Sequence, residues 1–324
     1  MFRIPSPCNG ICQTDPEDPA ICRGCLRRTD EIAAWSGMDD AARQQVWEDL
    51  PRRRGERSVP VYAGDQTGRL VPVPARVETI VSLVPSLTQS LYDLGVGDAV
   101  RGITAYCPQQ GEGQIQVGGT KNVRHDRIAG LGPDLILANK EENSRDDILQ
   151  LEKSFPVWVS DVSDVTDSLH LIVMLGLLTG TAPQAFSCTE AILQELPRMQ
   201  GRFSGRCAYL IWKKPWMTVG SGTFIHSWLD HLGFTNVFAD RQRYPETSLE
   251  EMDVLNPEII LLPDEPWNFS EAEQETLQAR FPAATVLRVP GRPFTWHGTC
   301  MGEAITTFAA LPLPAAPPAD RDQL

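Results

Sequence analysis

The sequence predicts an α/β protein: two small α/β lobes joined by a long helix, preceded by a small cysteine-rich helical metal-binding unit. Three observations lead there. One pattern occurs twice, as Leu131-Gly-Pro-Asp-Leu-Ile-Leu and Leu255-Asn-Pro-Glu-Ile-Ile-Leu, each reading as a helix end, a proline-acid turn and a buried strand. Between the copies, Leu169, Ile172, Val173, Leu175 and Leu178 set out the apolar face of a helix. Ahead of both, four of the eight cysteines crowd into residues 8–25, as Cys8, Cys12, Cys22 and Cys25.

Taken in order, residues 1–50 read as the cysteine-rich unit, 51–75 as a linker and 76–164 as the first lobe. Residues 165–200 read as the connecting helical segment, 201–311 as the second lobe and 312–324 as a frayed tail. In the first segment Ile32, Trp35, Met38, Val46, Trp47 and Leu50 recur mostly at helical spacings, and Asp39-Asp40 cap a second short helix after Gly37. Two such helices bury little alone, so a metal near the cysteines supplies the staple. Arg52, Arg53, Arg54 and Arg57, mixed with proline and glycine, read as the solvated face of a linker with a short strand at 58–62.

A β-branched strand at 77–84 stops at Pro85-Ser86. A helix follows at 87–94, with Ser86 as its cap and Gly95 as its stop. Strands at 135–138 and 157–159, the latter leading into Asp161, give the first lobe a mainly parallel sheet. Helix then continues from 165 to 196 with a break at 180–183. A strand at 206–212, a helix at 224–232, strands at 258–262 and 285–289, and a last helix after Thr299 make the second lobe.

Composition narrows the function. With 324 residues the chain has room for two or three domains, and its 26 prolines and 25 glycines are dispersed, which excludes collagen and wholesale disorder. The 29 basic against 42 acidic side chains leave a net charge of −13, so a long-range grip on nucleic acid is not expected. The start, MFRIPSPCNGICQ, shows no apolar secretory region. The most apolar stretch, 169–178, is interrupted by Gly176 and too short to span a membrane. These features lead to the expectation of a soluble cytoplasmic protein whose cysteines serve metal or thiol chemistry rather than disulfides.

The spacing Cys8-x3-Cys12-x9-Cys22-x2-Cys25 offers four soft ligands to a tetrahedral zinc or to an iron–sulfur cluster, with free or redox thiols as the third reading. Gly10 and Gly24 permit the tight bends within each cysteine pair, and Arg23, Arg27 and Arg28 offset thiolate charge.

Ligand contacts are expected at strand ends. In the first lobe Pro85 and Ser86 open a helix whose free amides favour an anionic or carbonyl group; ordinary capping is the alternative. Tyr106 has the size to line a pocket, and Cys107 reads as a small buried residue or, alternatively, as an axial metal ligand. Lys140 suits a ligand carboxylate, and Glu141 or Glu142 suits a ligand amide or a partner; acids at a helix start followed by Arg145 are the alternative. In the second lobe Trp212-Lys213-Lys214-Pro215-Trp216 forms a rim for a large planar ligand with peripheral carboxylates. Gly220-Ser221-Gly222-Thr223 offers backbone donors but lacks the lysine of a phosphate loop. Glu265 follows one strand and Trp296-His297 another. His297 reads either as a metal ligand or as a hydrogen-bonding rim residue. No metalloprotease motif, nucleophile elbow or ordered catalytic triad is present, so an enzymatic reaction is not indicated by any motif.

Residues 76–310 resemble the helical-backbone family of substrate-binding proteins, whose members receive cobalamin, haem, ferric siderophores or metals for import systems. The resemblance rests on RVETIVSLVPSLTQSLYDL at 76–94, VGGTKN at 117–122, LGPDLILANKEEN at 131–143 and GSGTFIHSWLDHLGFTNVFAD at 220–240. It implies two α/β lobes, a rigid connecting helix and a cleft that closes only modestly. Residues 5–50 are similar to a short cysteine-rich domain family often described as predicted iron–sulfur proteins, through SPCNGICQ, CRGC and DEIAAWSGMDDAARQQVWEDLP.

The leading expectation is a carrier of a corrinoid, haem-like chelate or metallophore. Trp216 and Trp296 would pack on its faces, Lys140 and Lys213 would meet its carboxylates, and Tyr106 would complete the wall. An iron–sulfur redox adaptor or enzyme is the second reading. A signalling module that docks a protein or RNA through residues 52–57 is the third, and the N-terminal unit is the place expected for a protein partner.

Overall fold

In the computed structural model, which describes residues 5–57 and 60–316, the chain divides into two units. One takes in Met1–Val162, Thr166–Ala191 and His297–Cys300, and the other Ser163–Val165, Ile192–Trp296 and Met301–Leu324. The first unit is thus assembled from three separate stretches of sequence, and the cysteine-rich segment belongs to it.

The first unit opens with helices α1 (Thr29–Ala34) and α2 (Asp40–Gly55). Asp39 caps α2 by accepting from the Ala42 amide at 2.8 Å, satisfying a donor that the first turn leaves without an intrahelical partner. The helix does not end at Pro51. It runs on to Gly55, and the antiparallel hairpin β1 (Val61–Gly64) and β2 (Leu70–Val73) follows, so most of the expected linker is ordered structure. Residues 58 and 59 of the expected strand lie outside the described residues.

Next come β3 (Ile80–Ser82), α3 (Pro85–Asp93), β4 (Val100–Ile103), β5 (Ile115–Gln116) and the small hairpin β6 (Gly118–Gly119) and β7 (Asn122–Val123). Then follow α4 (His125–Leu131), β8 (Leu135–Asn139), α5 (Arg145–Leu151) and β9 (Val157–Ser160). The sheet order is β5-β4-β3-β8-β9 with every neighbour parallel. A parallel sheet is covered on both faces, which is why its strands read as continuous apolar runs. Val81, Leu83, Ile128, Ile136, Ile148 and Val159 are among its buried core. Each such side chain contributes about 1.5–3 kcal/mol on burial. Two helices follow, α6 (Val165–Thr179) and α7 (Ala182–Glu195), broken where Gly180 takes a left-handed φ of 77°.

The arginine run is not a solvated face. Arg53 is buried against Glu31 at 2.7 Å and the Leu26 carbonyl at 3.1 Å, and Arg57 pairs with the buried Asp15. Arg54 is buried, with no carboxylate beside it among the described residues. Its guanidinium donates to the carbonyls of Pro74 at 2.6 Å, Ala75 at 3.0 Å and Leu177 at 2.9 Å. Leu177 lies in the last turn of α6, where carbonyls without intrahelical partners carry the negative end of the helix dipole. Burial pushes the Arg54 pKa down to about 10, with Arg57 a second cause, so the group still carries its charge at neutral pH. Only Arg52 of the helical run is exposed, and it pairs with Glu56 at 3.0 Å. The expected docking of a partner through 52–57 is therefore corrected: three of its four cations are committed inside the fold.

Other ties run the same way. Trp47 packs on Phe186 of α7 at 6.1 Å between ring centroids, and the His170 ring meets the Cys8 carbonyl at 3.3 Å. Gln66 donates to the Asp167 carbonyl at 3.0 Å.

The second unit is built on β10 (Arg206–Lys213) and β11 (Trp216–Thr218), then α8 (Phe224–Leu232), β12 (Thr235–Asn236), β13 (Glu246–Thr247) and α9 (Leu249–Leu255). It continues with β14 (Ile259–Pro263), α10 (Glu271–Arg280), β15 (Thr285–Val289), α11 (Arg292–Thr295) and α12 (Met301–Ala309). The sheet order is β13-β11-β10-β14-β15. Strands β14, β15 and β12 run parallel to their neighbours, while β11 and β13 add an antiparallel margin. Among the described residues no helix is long and apolar enough to cross a membrane.

The repeated sequence pattern has one physical meaning in both units. Gly132 (φ 56°) and Asn256 (φ 44°) end their helices in the left-handed conformation, and proline then prevents the helix from resuming. The acid after each proline pins the neighbouring strand. Asp134 accepts from the amides of Glu78 and Thr79 at 2.8 and 2.9 Å, and Glu258 from the Arg206 amide at 2.8 Å.

Replacing Arg54 by Met removes three donors from buried or part-buried carbonyls. It is expected to lower the unfolding free energy by about 3 kcal/mol. Urea denaturation would show this, and a loss no larger than for Arg52→Met would rule the interaction out as a major tie.

Candidate functional site

In the first unit the carboxyl ends of β3, β4, β8 and β9 carry the polar side chains. Val84, not Ser86, occupies the cap position of α3, with Pro85 first in the helix, where its missing N–H costs nothing. Ser86 lies inside the first turn, buried, and its Oγ meets His297 Nδ1 at 3.3 Å. Asn139 ends β8. Its Oδ1 accepts from the amides of Glu141 at 2.9 Å and Glu142 at 3.1 Å, while its Nδ2 faces Ser160 O at 3.3 Å, Ser160 Oγ at 3.0 Å and His297 Nε2 at 3.5 Å.

His297 reaches this edge on a short return segment. The Gly298 amide donates to Ser168 Oγ at 2.7 Å, and Thr299 Oγ1 donates to Asp93 at 2.6 Å. Gly298 has φ of 78°, and a Cβ there would lie 2.4 Å from Ser90 Oγ, so the turn admits no larger residue.

Around this buried group stand more exposed residues. Lys140 is exposed and pairs with Asp161 at 2.5 Å, and Glu142 is exposed beside it. Tyr106 is 70% exposed, while Cys107 is buried with its sulfur 3.1 Å from Thr104 Oγ1.

In the second unit Lys213 meets Glu273 at 2.8 Å, and its ammonium lies 5.8 Å from the Trp216 ring centroid. Hydrogen bonds from Lys213 and then from the Ser270 amide hold the Glu273 carboxyl down, to about 2. Trp216 is half-buried and stacked on Phe269 at 6.2 Å. Thr223 is buried as the cap of α8. It donates to the Gly220 carbonyl at 2.8 Å and accepts from the His226 amide at 3.2 Å. Glu265 is half-buried and accepts from Thr295 Oγ1 at 3.0 Å. Gly291 brings the backbone against it, since a Cβ there would lie 2.6 Å from the Glu265 carbonyl oxygen. Trp296 is half-buried under the Arg292 guanidinium, 4.2 Å from the ring centroid.

The structure thus brings Ser86 and His297 together with Asn139 and gives Lys140, Lys213 and Glu265 partners within their own units. Asn139, Asp161 and Arg292 were not singled out as ligand contacts from the sequence. A local signal existed for Asn139: an Asn at a strand end, followed at 141 and 142 by amides it can accept from, is a turn-forming arrangement.

The cysteine segment forms two pairs. The sulfurs of Cys8 and Cys12 are 4.0 Å apart. Cys22 and Cys25 are buried, and Arg27 Nε lies 3.4 Å from Cys25 Sγ. The Cys25 thiol and the amides of Cys25, Gly24 and Gln13 hydrogen-bond to Cys22, pulling its pKa down to about 5, while the same pairing and burial raise Cys25. The two loops touch closely, because a Cβ on Gly24 would lie 2.3 Å from Asn9 Oδ1. Among the described residues no group of three or more His, Cys, Asp or Glu side chains is arranged to hold a metal ion. The donor set fits a thiolate-ligated metal in its charge and hydrogen bonding, and the four cysteines stand as two pairs.

Two α/β units with mostly parallel sheets, linked in sequence by a helix and carrying polar and aromatic residues at the strand ends, define the fold class of the bilobed solute-binding proteins. The chain belongs to the periplasmic binding protein family, whose model matches residues 80–284. Residues 6–54 match a second family, described as a protein of unknown function (DUF1289).

A vitamin B12-binding protein of Vibrio parahaemolyticus is 25% identical over 193 residues, covering 57% of this chain and 70% of the relative. A vitamin B12-binding protein of Yersinia pestis is 26% identical over 202 residues, covering 60% and 72%. Among solved structures, the periplasmic vitamin B12 binding protein of Vibrio cholerae superposes with a TM-score of 0.63 at 22% identity, covering 72% of this chain and 95% of that one. The periplasmic haem binding protein of the same organism gives 0.61 at 16% identity, covering 71% and 97%. These structural likenesses establish the fold.

The family membership corrects the expected cytoplasmic location. The matching family is described as periplasmic, and the expectation had rested on the first residues and on the lack of an apolar segment there.

Burial holds the His297 pKa down to about 4 from an ordinary 6.5. The unfolded chain therefore binds more protons between those values, and stability contributed by neutral His297 is complete above pH 6.5 and lost as pH falls towards 4. His297→Gln is expected to flatten this part of the stability profile, measured as urea midpoints from pH 7.5 to 4. An unchanged slope would show that His297 does not generate it.

Proposed function

We propose that the protein is a carrier of a large cofactor-like ligand and that this ligand is a corrinoid. The observation that carries the reading is the vitamin B12-binding identity of curated relatives that align over more than half of the chain. The state of the lysines supports it. Lys140 and Lys213, expected to meet ligand carboxylates, are already paired with Asp161 and Glu273. In each unit, a strand-end edge whose lysine is already paired suits the carboxamide periphery of a corrinoid better than the free propionates of haem. Ser86, Glu142, Thr223 and Glu265 are then the polar contacts or their supports, and Tyr106, Trp216 and Trp296 the aromatic ones. Pro85 shapes the turn that presents Ser86, and His297 supports it from behind.

Titration of the full-length chain with cyanocobalamin and, separately, haemin, followed by tryptophan fluorescence and calorimetry, tests this. Cyanocobalamin is expected to bind and haemin to bind more weakly; the reverse order would sink the corrinoid reading. Trp296→Ala should weaken cyanocobalamin binding by roughly tenfold or more. Lys140→Ala and Lys213→Ala should each change it less than about threefold, because an exposed or half-exposed pair contributes little.

We also infer that Cys8, Cys12, Cys22 and Cys25 together hold a metal, zinc first and an iron–sulfur cluster second. Support comes from the low pKa of Cys22, which makes one thiolate ready at neutral pH, and from the contact between the two cysteine loops. Native mass spectrometry of anaerobically purified protein is expected to show one zinc per chain, lost in Cys22→Ser. Iron with a visible absorption that bleaches on reduction would replace zinc by the cluster, and a metal-free mass would end both assignments.

A further inference from the structure

Asn139 can present either of two faces to His297, and its surroundings leave one. The backbone amides of Glu141 and Glu142 point at one end of its side chain, at 2.9 and 3.1 Å, and an amide proton requires an acceptor. That end must be the carbonyl oxygen. The other end lies 3.3 Å from the Ser160 carbonyl, which requires a donor. The amide orientation is therefore dictated from both sides.

Its NH2 group has two protons. One serves Ser160, whose Oγ can accept because its own proton goes to the Ala138 carbonyl at 3.1 Å. The second faces His297 Nε2 at 3.5 Å. A proton on Nε2 would set donor against donor in a buried site, so Nε2 is the bare nitrogen. The neutral ring then carries its proton on Nδ1, 3.3 Å from Ser86 Oγ.

We propose that His297 is a positioning residue, held by Asn139 as the Nδ1–H tautomer, which donates to Ser86 and thereby aims the serine's own hydroxyl proton at an acceptor oxygen of the ligand. The ligand group this recognises is a carbonyl, amide or phosphate oxygen at the amino end of α3. The same arrangement commits both ring nitrogens inside the unit, so His297 does not ligate a cofactor metal as the sequence allowed. The tautomer and the hydrogen-bond order stand on this unit's geometry alone; the ligand clause rests on the corrinoid-carrier reading.

The test has two arms that fail separately. In long-range proton–nitrogen correlation spectra of the 15N-labelled full chain at neutral pH, the ring signal that disappears in His297→Gln should show a protonated Nδ1 and a bare Nε2. Asn139→Asp, which keeps the acceptor for the 141 and 142 amides, should move a proton onto Nε2. A wild-type ring protonated at Nε2, or a ring state that Asn139→Asp leaves unchanged, overturns the relay.

In the second arm, Ser86→Ala and His297→Gln should each weaken cyanocobalamin binding by a similar factor, roughly fivefold to tenfold, with the double variant no weaker than either single one. Near-ultraviolet circular dichroism confirms that each variant is folded. Fully additive losses would overturn the positioning role. If the wild-type chain does not bind cyanocobalamin, the carrier reading falls while the nitrogen spectra still decide the relay.

Discussion

The first unit depends on a buried positive charge that has no negative partner among the described residues. Arg54 sits where three carbonyls converge, from Pro74 and Ala75 just after β2 and from the last turn of α6. Removing a guanidinium from water is costly, and here the compensation comes from dipoles that would themselves be under-satisfied without it. Three stretches of chain distant in sequence are thereby fixed to one point. The cysteine-rich segment consequently joins a larger core and does not stand alone on the little apolar area of its two helices. That is a different solution to its small size from the metal staple, and the two are compatible.

The strand ends show how much of the proposed binding edge is ordered by the chain's own hydrogen bonds. Thr223 caps a helix, Glu265 is held by Thr295 and Asn139 orders the turn that follows it. In the proposed carrier such groups would lose little freedom on binding, which keeps the ordering cost low. Chemistry that looks like ligand recognition in a one-dimensional reading is often the scaffold for it one residue away.

Legibility from sequence followed the range of the interactions. The repeated proline-acid pattern was readable because a left-handed cap, a proline and a strand are neighbours in the chain. Helix α8 and strand β15 were placed at their observed bounds for the same reason. The stretch after Pro51 was misread. Proline and consecutive arginines suggest a break, and the helix persists because Arg53 and Arg54 find partners 22 and 123 residues away. The relay at His297 joins residues 211 and 158 positions apart, and no periodicity encodes it. The polar residues stand at strand ends, where the sequence expects them, but the sequence does not tell which of their charges are already paired. The cellular location followed neither range nor pattern; it had rested on the first residues and was overturned by family membership.

The return of His297–Cys300 into the first unit has a consequence for how the protein can be divided. No single cut in the chain yields two complete pieces. A fragment ending before residue 297 would leave Ser86, Ser90 and Asn139 without the residues that close over them, and one beginning at Ile192 would carry a strip of sequence belonging elsewhere. Proteolytic halves should therefore complement one another as separated peptides of one fold do, through that four-residue strip, and its sequence should tolerate exchange only together with the helix α3 that receives it.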